Sequence, residues 1–200
     1  MLFQQAPFVD RDNLPNFLNE KNLVNQGVEI GTHRGEFAKQ ILEKWNGVSL
    51  MCVDHWSIPE GYEYQSKCLG EGTRDDHLKE ALRNVAKYGK KCTLIRGFSQ
   101  EVCSRIADNS LDFVYLDGDH SEEGVLQDLC DWWPKIKSGG VLAGHDIICP
   151  GEINLGWGKP IQQALQKWEI LVLKKEVTIY LVVETLCLPW SFYIIKDETE

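Results

Sequence analysis

Nowhere in the 200 residues does an apolar run approach the ~20 consecutive residues of a bilayer-crossing helix, so no transmembrane span is expected. The opening Met1-Leu2-Phe3-Gln4-Gln5 lacks the basic start and long apolar stretch of a secretory signal, and a cytoplasmic location is the expectation. Dense Lys/Arg clusters are missing as well. A net charge of -9 and a pI near 5.1 repel a phosphate backbone, which argues against nucleic acid as a partner. The seven cysteines are odd in number, show no Cys-x-x-Cys spacing and mostly sit in apolar runs, as reduced core thiols do. There is no internal repeat and no low-complexity tract. A single domain over residues 1–200 is expected at this length.

What is present is alternation. A helical lead over residues 1–24 places Leu14, Phe17 and Leu18 at helical intervals, with Asp12 or Asn13 as cap and Pro15 in the first turn. Strands are then expected at 27–31, 49–54, 92–96, 111–117 and 140–145. Helices are expected at 36–45, 74–88, 100–106, 122–136 and 160–168, with Ser99 as the N-cap of the third. Such a chain folds as a doubly wound α/β protein, with a mainly parallel sheet covered on both faces and its ligands beyond the strand C-termini. Two further strand-like runs, 177–184 and 191–196, are separated by too few residues for a helix and form a closing antiparallel hairpin. Residues 55–73 form a long irregular segment, read equally as a lid or as a solvated connector.

The first chemical signal is Val28-Glu29-Ile30-Gly31-Thr32-His33-Arg34-Gly35, a strand, a glycine turn and a helix start. Gly31 and Gly35 permit a sharp turn and close approach to a ligand, and the helix amides favour a negative group. The spacing is not the Gly-x-Gly-x-x-Gly of dinucleotide sites. Asp54 lies 23 residues after Gly31 at the end of an apolar strand, where an acid can accept both hydroxyls of a ribose. Together with 95–99 (Ile-Arg-Gly-Phe-Ser) and the closing hairpin, these residues resemble the class I S-adenosylmethionine-dependent methyltransferases over about residues 25–196. The resemblance implies a seven-stranded sheet of order 3-2-1-4-5-7-6. It also implies Glu29, Gly31 and Gly35 at the methionine end of the cofactor, Asp54 at the ribose, and Gly97 with Ser99 near the adenine.

The second signal is a pair of polar clusters at adjacent strand ends, Asp117-Gly118-Asp119-His120 and Gly144-His145-Asp146. Both fall on the sheet edge that carries the first site. Paired carboxylates beside a histidine can hold a divalent cation that acidifies a substrate hydroxyl, and histidine can take the proton. Metal-free alternatives are that Asp117 orients cofactor or substrate, that Asp119 caps the next helix, and that His145 is a packed histidine. The block from Asp117 to Asp146 is similar to small bacterial methyltransferases related to metal-dependent sugar and macrolide O-methyltransferases. By that resemblance Asp117 and Asp146 bind Mg²⁺ and His120 is the base. Ile147 stands where many metal-dependent relatives carry a second acid or Asn. The expected activity is O-methylation of a small hydroxylated molecule. A metal-dependent hydroxylase or oxidoreductase on the same fold and a non-catalytic cofactor-binding module are the alternatives. Trp157, Trp190 and Phe192, if exposed, mark a homodimer surface. Trp132 and Trp133 read as packing residues.

Overall fold

The computed structural model describes residues 1–8, 10–56, 73–147, 159–182 and 190–197. Most of the 55–73 segment and residues 149–158 fall outside these residues, as do Trp157, Cys68, Cys149 and Cys187.

The chain runs β1 (Leu2–Gln5), α1 (Leu14–Glu20), β2 (Gln26–Ile30), α2 (Glu36–Lys44), β3 (Ser49–Asp54), α3 (Arg74–Val85), β4 (Cys92–Arg96) and α4 (Ser99–Cys103). It continues through β5 (Leu111–Leu116), α5 (Glu122–Trp132), β6 (Ile136–Ile147), α6 (Lys159–Trp168), β7 (Thr178–Val182) and β8 (Trp190–Ile195). The strands form one sheet of order β1-β7-β8-β6-β5-β2-β3-β4, in which β8 alone runs antiparallel to its neighbours. Counted from β2, this is the expected doubly wound order, closed by the expected antiparallel hairpin. The eighth strand is new. β1 lies inside the segment read as a helical lead and pairs in parallel with β7, Leu2 opposite Thr178. Four residues, mostly exposed, carry too short a pattern to signal a strand.

Both faces of the sheet are covered, as parallel strands require. Val28, Ile30, Val114 and Leu142 pack on one side with Leu129 and Trp132 of α5 and Trp168 of α6. Phe17 and Leu18 of α1 pack on the other side with Phe37 and Ile41 of α2 and with Trp45, Phe113 and Tyr115. Trp132 and Trp133 are buried, as expected of packing residues. Phe192 is also buried, at 2% exposure, because it sits mid-strand against Gly144, so it marks no dimer surface. Trp190 is half-buried. Among the described residues no helix is long and apolar enough to cross a membrane.

Element ends obey local chemistry. Ser121 caps α5 by accepting from the Gly124 amide at 3.1 Å, and Thr73 with Asp76 forms a reciprocal capping box on α3. Ser99 is not the N-cap of α4. That position falls to Phe98, and Ser99 is the first helical residue, its hydroxyl engaged elsewhere. The strand expected at 140–145 begins earlier, at Ile136, because Gly139 and Gly140 are the irregular part of a bulged strand and not a loop before it.

Candidate active site

β2 ends at the glycine turn. Gly31 has φ +87, and a Cβ placed there would lie 2.0 Å from the carbonyl oxygen of Asp117. The glycine is thus required where the ends of β2 and β5 come together, which also draws Asp117 into the site. Gly35, at φ +75, opens α2, and its Cβ would crowd the Ala81 backbone of α3 at 3.1 Å. Asp54 ties the next loop to this turn. One carboxylate oxygen accepts from the His33 amide at 2.8 Å and the other from the Trp56 amide at 2.7 Å. Each oxygen keeps a lone pair for a ligand.

Beyond these strand ends opens a cavity of about 330 Å³. Gly31, Asp54, Gly97, Ser99 and Asp117 line it, so five expected ligand-site residues converge. His33, His55, Arg74, Phe98 and Asp128 join them in the wall. Phe98 is 44% exposed and stacks on His55, ring centroids 5.3 Å apart, at the cavity mouth. Gly35 and Glu29 are not among the residues of the wall. Glu29 points beneath the turn and is 3% exposed, and its Oε2 has no hydrogen-bond partner.

Burial pushes the Glu29 carboxyl up to about 7, with Asp117 and Asp54 adding repulsion that Thr32 and Arg11 offset only in part. Because this exceeds the value of an unfolded glutamate, the ionised form costs stability. The cost is absent below about pH 4.5 and complete above about pH 7. Glu29→Gln is therefore expected to gain on the order of 3 kcal/mol over the parent at pH 8, and almost nothing at pH 4.5. Urea denaturation at the two pH values measures the difference, and equal gains at both would contradict this origin.

The second cluster also assembles. His120 Nε2 lies 3.3 Å from Asp117 Oδ1 and 3.0 Å from Asp146 Oδ2, and His145 Nδ1 lies 2.9 Å from Asp146 Oδ1. Asp146 holds this place at φ +63, a left-handed conformation that a residue with a side chain adopts at some cost. Burial opposes protonation of His120, but the hydrogen bond to Asp117 and the charges of Asp146, Asp117 and Asp119 outweigh it and raise its pKa. Burial likewise opposes ionisation of Asp146, yet His145 and His120 together hold that carboxyl below its ordinary value. Asp119 Oδ1 accepts from the Ser121 amide at 2.8 Å, an Asx turn before α5. Gly118, Asp119 and Asp128 line both the large cavity and a small one bordered by His120 and His145, so the two sites share a wall.

Two residues of this region escaped sequence reasoning. Arg11 reaches in from the N-terminal segment, 3.6 Å from Asp117 Oδ2 and stacked 5.0 Å above the Phe37 ring. Nothing in the polar run around it marks that role. Asp128 did carry a signal, since it stands on the buried stripe of α5 with Val125, Leu129 and Trp132.

A glycine turn at the end of the first strand of the doubly wound order, an acid at the end of the next and an acid–histidine cluster at the two neighbouring strand ends meet on one edge of the sheet. The profile of a methyltransferase-domain family matches residues 28–147, and the chain belongs to that family. The fold is shared with the O-methyltransferase of Bacillus cereus in complex with S-adenosylhomocysteine. That match has 16% identity and a TM-score of 0.65, and covers 92% of this chain and 80% of that one. It is shared also with TomG, an O-methyltransferase of Streptomyces achromogenes involved in tomaymycin synthesis and solved with S-adenosylmethionine. There the identity is 13% and the TM-score 0.64, over 94% of this chain and 79% of that one. An uncharacterised Sinorhizobium fredii protein is 24% identical over 123 residues, 60% of this chain, which spans only 13% of that relative's length.

Proposed function

We propose that the protein transfers a methyl group from S-adenosylmethionine to an oxygen of a small hydroxylated molecule, with His120 as the base. The observation that carries this reading is the shared wall at Gly118, Asp119 and Asp128, which sets the nucleoside-sized cavity beside the His120 cluster. Asp54 would accept from the ribose hydroxyls, the Gly97–Ser99 wall would face the adenine, and Gly31 would leave room for the methionine end. The acceptor hydroxyl gives its proton to His120 as its oxygen bonds the methyl carbon. The carbon–sulfur bond breaks at the same time, and neutral S-adenosylhomocysteine remains. Asp117 and Asp146 hold the imidazole in place and stabilise it once protonated. The acidic surface favours a small-molecule acceptor over a nucleic acid. The relatives solved with this cofactor or its product support the choice of donor.

A metal-assisted version has its own observation. One donor atom each from Asp117, His120 and Asp146 lies within 4.8 Å of the others, a spacing that suits one divalent cation. Ile147 is fully buried and supplies no further donor. A cation there would hold His120 as a ligand in place of its role as base, and would itself add Lewis acidity toward the acceptor hydroxyl. Dialysis against a chelator followed by re-addition of Mg²⁺ or Mn²⁺ tests this version, and turnover unchanged by the chelator removes it.

Calorimetric titration of the folded protein with S-adenosylhomocysteine is expected to give saturable binding at one site. A panel of sugars, phenols and hydroxy acids with S-adenosylmethionine is expected to yield a product heavier by one methyl group. Folded protein that binds neither thioether nor sulfonium would end the proposal.

A further inference from the structure

We propose that Asp128, on helix α5, selects the adenine base of the cofactor by accepting a hydrogen bond from its 6-amino group. The assignment rests on the cofactor reading above and goes beyond it, because it names what distinguishes a 6-amino purine from a 6-oxo purine at this site. Asp128 is 4% exposed and lines both cavities, and in the large one it is bonded to Ser99, in the wall where the cofactor reading above puts the adenine. Among the described residues no Lys, Arg or His is paired with it, so a buried carboxylate stands without a cation. That is a costly arrangement unless a donor arrives from the ligand.

The local hydrogen bonds fix which kind of ligand atom fits. Trp132 Nε1 donates to Ser99 Oγ at 2.7 Å, and Ser99 Oγ donates to Asp128 Oδ1 at 2.5 Å. The one proton of the Ser99 hydroxyl and the one N–H of the Trp132 indole are therefore both committed. With Asp128 ionised, the capacity left between Ser99 and its carboxylate is acceptor capacity. A 6-amino group offers an N–H to it, whereas a 6-oxo group sets acceptor against acceptor in a buried site. Burial also pushes the Asp128 carboxyl up to about 7, as expected of an acid whose charge is only partly compensated by the Ser99 hydroxyl. The aromatic surface of Phe98 and His55 at the cavity mouth gives a base a flat wall while its edge meets Asp128.

The test compares S-adenosylhomocysteine with S-inosylhomocysteine, its 6-oxo counterpart, by calorimetry on the full chain at about pH 8.5, where Asp128 is ionised. The parent is expected to prefer the amino purine about tenfold or more. Asp128→Asn can turn an N–H toward a 6-oxo group, and the preference is expected to shrink to threefold or less, or to invert. Asp128→Glu pushes the carboxylate farther into the cavity. It is expected to weaken S-adenosylhomocysteine about tenfold while keeping the preference, and it serves if Asp128→Asn does not fold. A parent that binds both ligands equally overturns the assignment. So does an Asp128→Asn protein that keeps the full preference, or an Asp128→Glu protein that binds S-adenosylhomocysteine as the parent does. Each of these leaves the cofactor reading standing. A parent that binds neither ligand overturns the cofactor reading, and the assignment with it.

Discussion

Gly31→Ala is expected to cost on the order of 3 to 5 kcal/mol of stability and to abolish cofactor binding, from the left-handed backbone and the overpacking together. The methyl group would lie 2.0 Å from the Asp117 carbonyl oxygen and 2.7 Å from the Gly118 nitrogen, both backbone atoms that cannot rotate away. Relief requires the end of β5 to move off β2. That movement breaks the hydrogen bond from the Asp117 amide to the Ile30 carbonyl, now 2.9 Å, and carries Asp117 out of register with His120. Gly35→Ala is the internal comparison, since its Cβ comes no nearer than 3.1 Å to Ala81, and a smaller loss is expected there. Thermal melts and calorimetric titration of both variants decide the matter. A Gly31→Ala protein that melts and binds as the parent does would show that the turn tolerates a side chain.

His120→Gln is expected to lower kcat for the methyl acceptor by about 10²- to 10⁴-fold, the usual share of a general base. The affinity for S-adenosylhomocysteine should stay within about twofold, because His120 borders the small cavity and is not in the wall of the large one. His145→Gln tests the partition further. His145 touches Asp146, which in turn meets His120, so its loss should disturb orientation and lower kcat far less than loss of the base itself. Steady-state rates with saturating donor, beside titrations of each variant, separate the two effects. A parental rate in His120→Gln would remove the histidine from the chemistry and leave proximity as the source of rate.

Most of this arrangement was legible in the sequence, for reasons that differ from residue to residue. A mainly parallel, doubly wound sheet followed from strand and helix alternation, whereas the order of its strands came with the methyltransferase resemblance. Asp54, Asp117 and Asp146 were legible because each interrupts an apolar strand at its C-terminal end, and that edge is where the chain collects its sites. Gly31 was marked correctly as a special position. The physical demand on it, close passage of the β5 end, is a contact between segments far apart in the chain and leaves no local trace. Gly35 answers to α3 in the same way, and Ser99 looked like a helix cap because its tie to Asp128 is tertiary. Arg11 was invisible for a related reason, since an arginine in a polar lead looks solvated until the fold brings Asp117 beside it.

The position of β1 bears on the order in which the molecule is made. Among the described residues its one partner in the sheet is β7, and Leu2 meets Thr178 across 176 positions of sequence. β1 is among the last of the described strands to find its place, because its docking edge does not exist until β7 is formed. Contacts of such sequence separation form late, after the costly closure of a long loop. The central strands β2, β3 and β5 can assemble the glycine turn and Asp54 long before that, so the ligand pocket takes shape ahead of the β1–β7 seam.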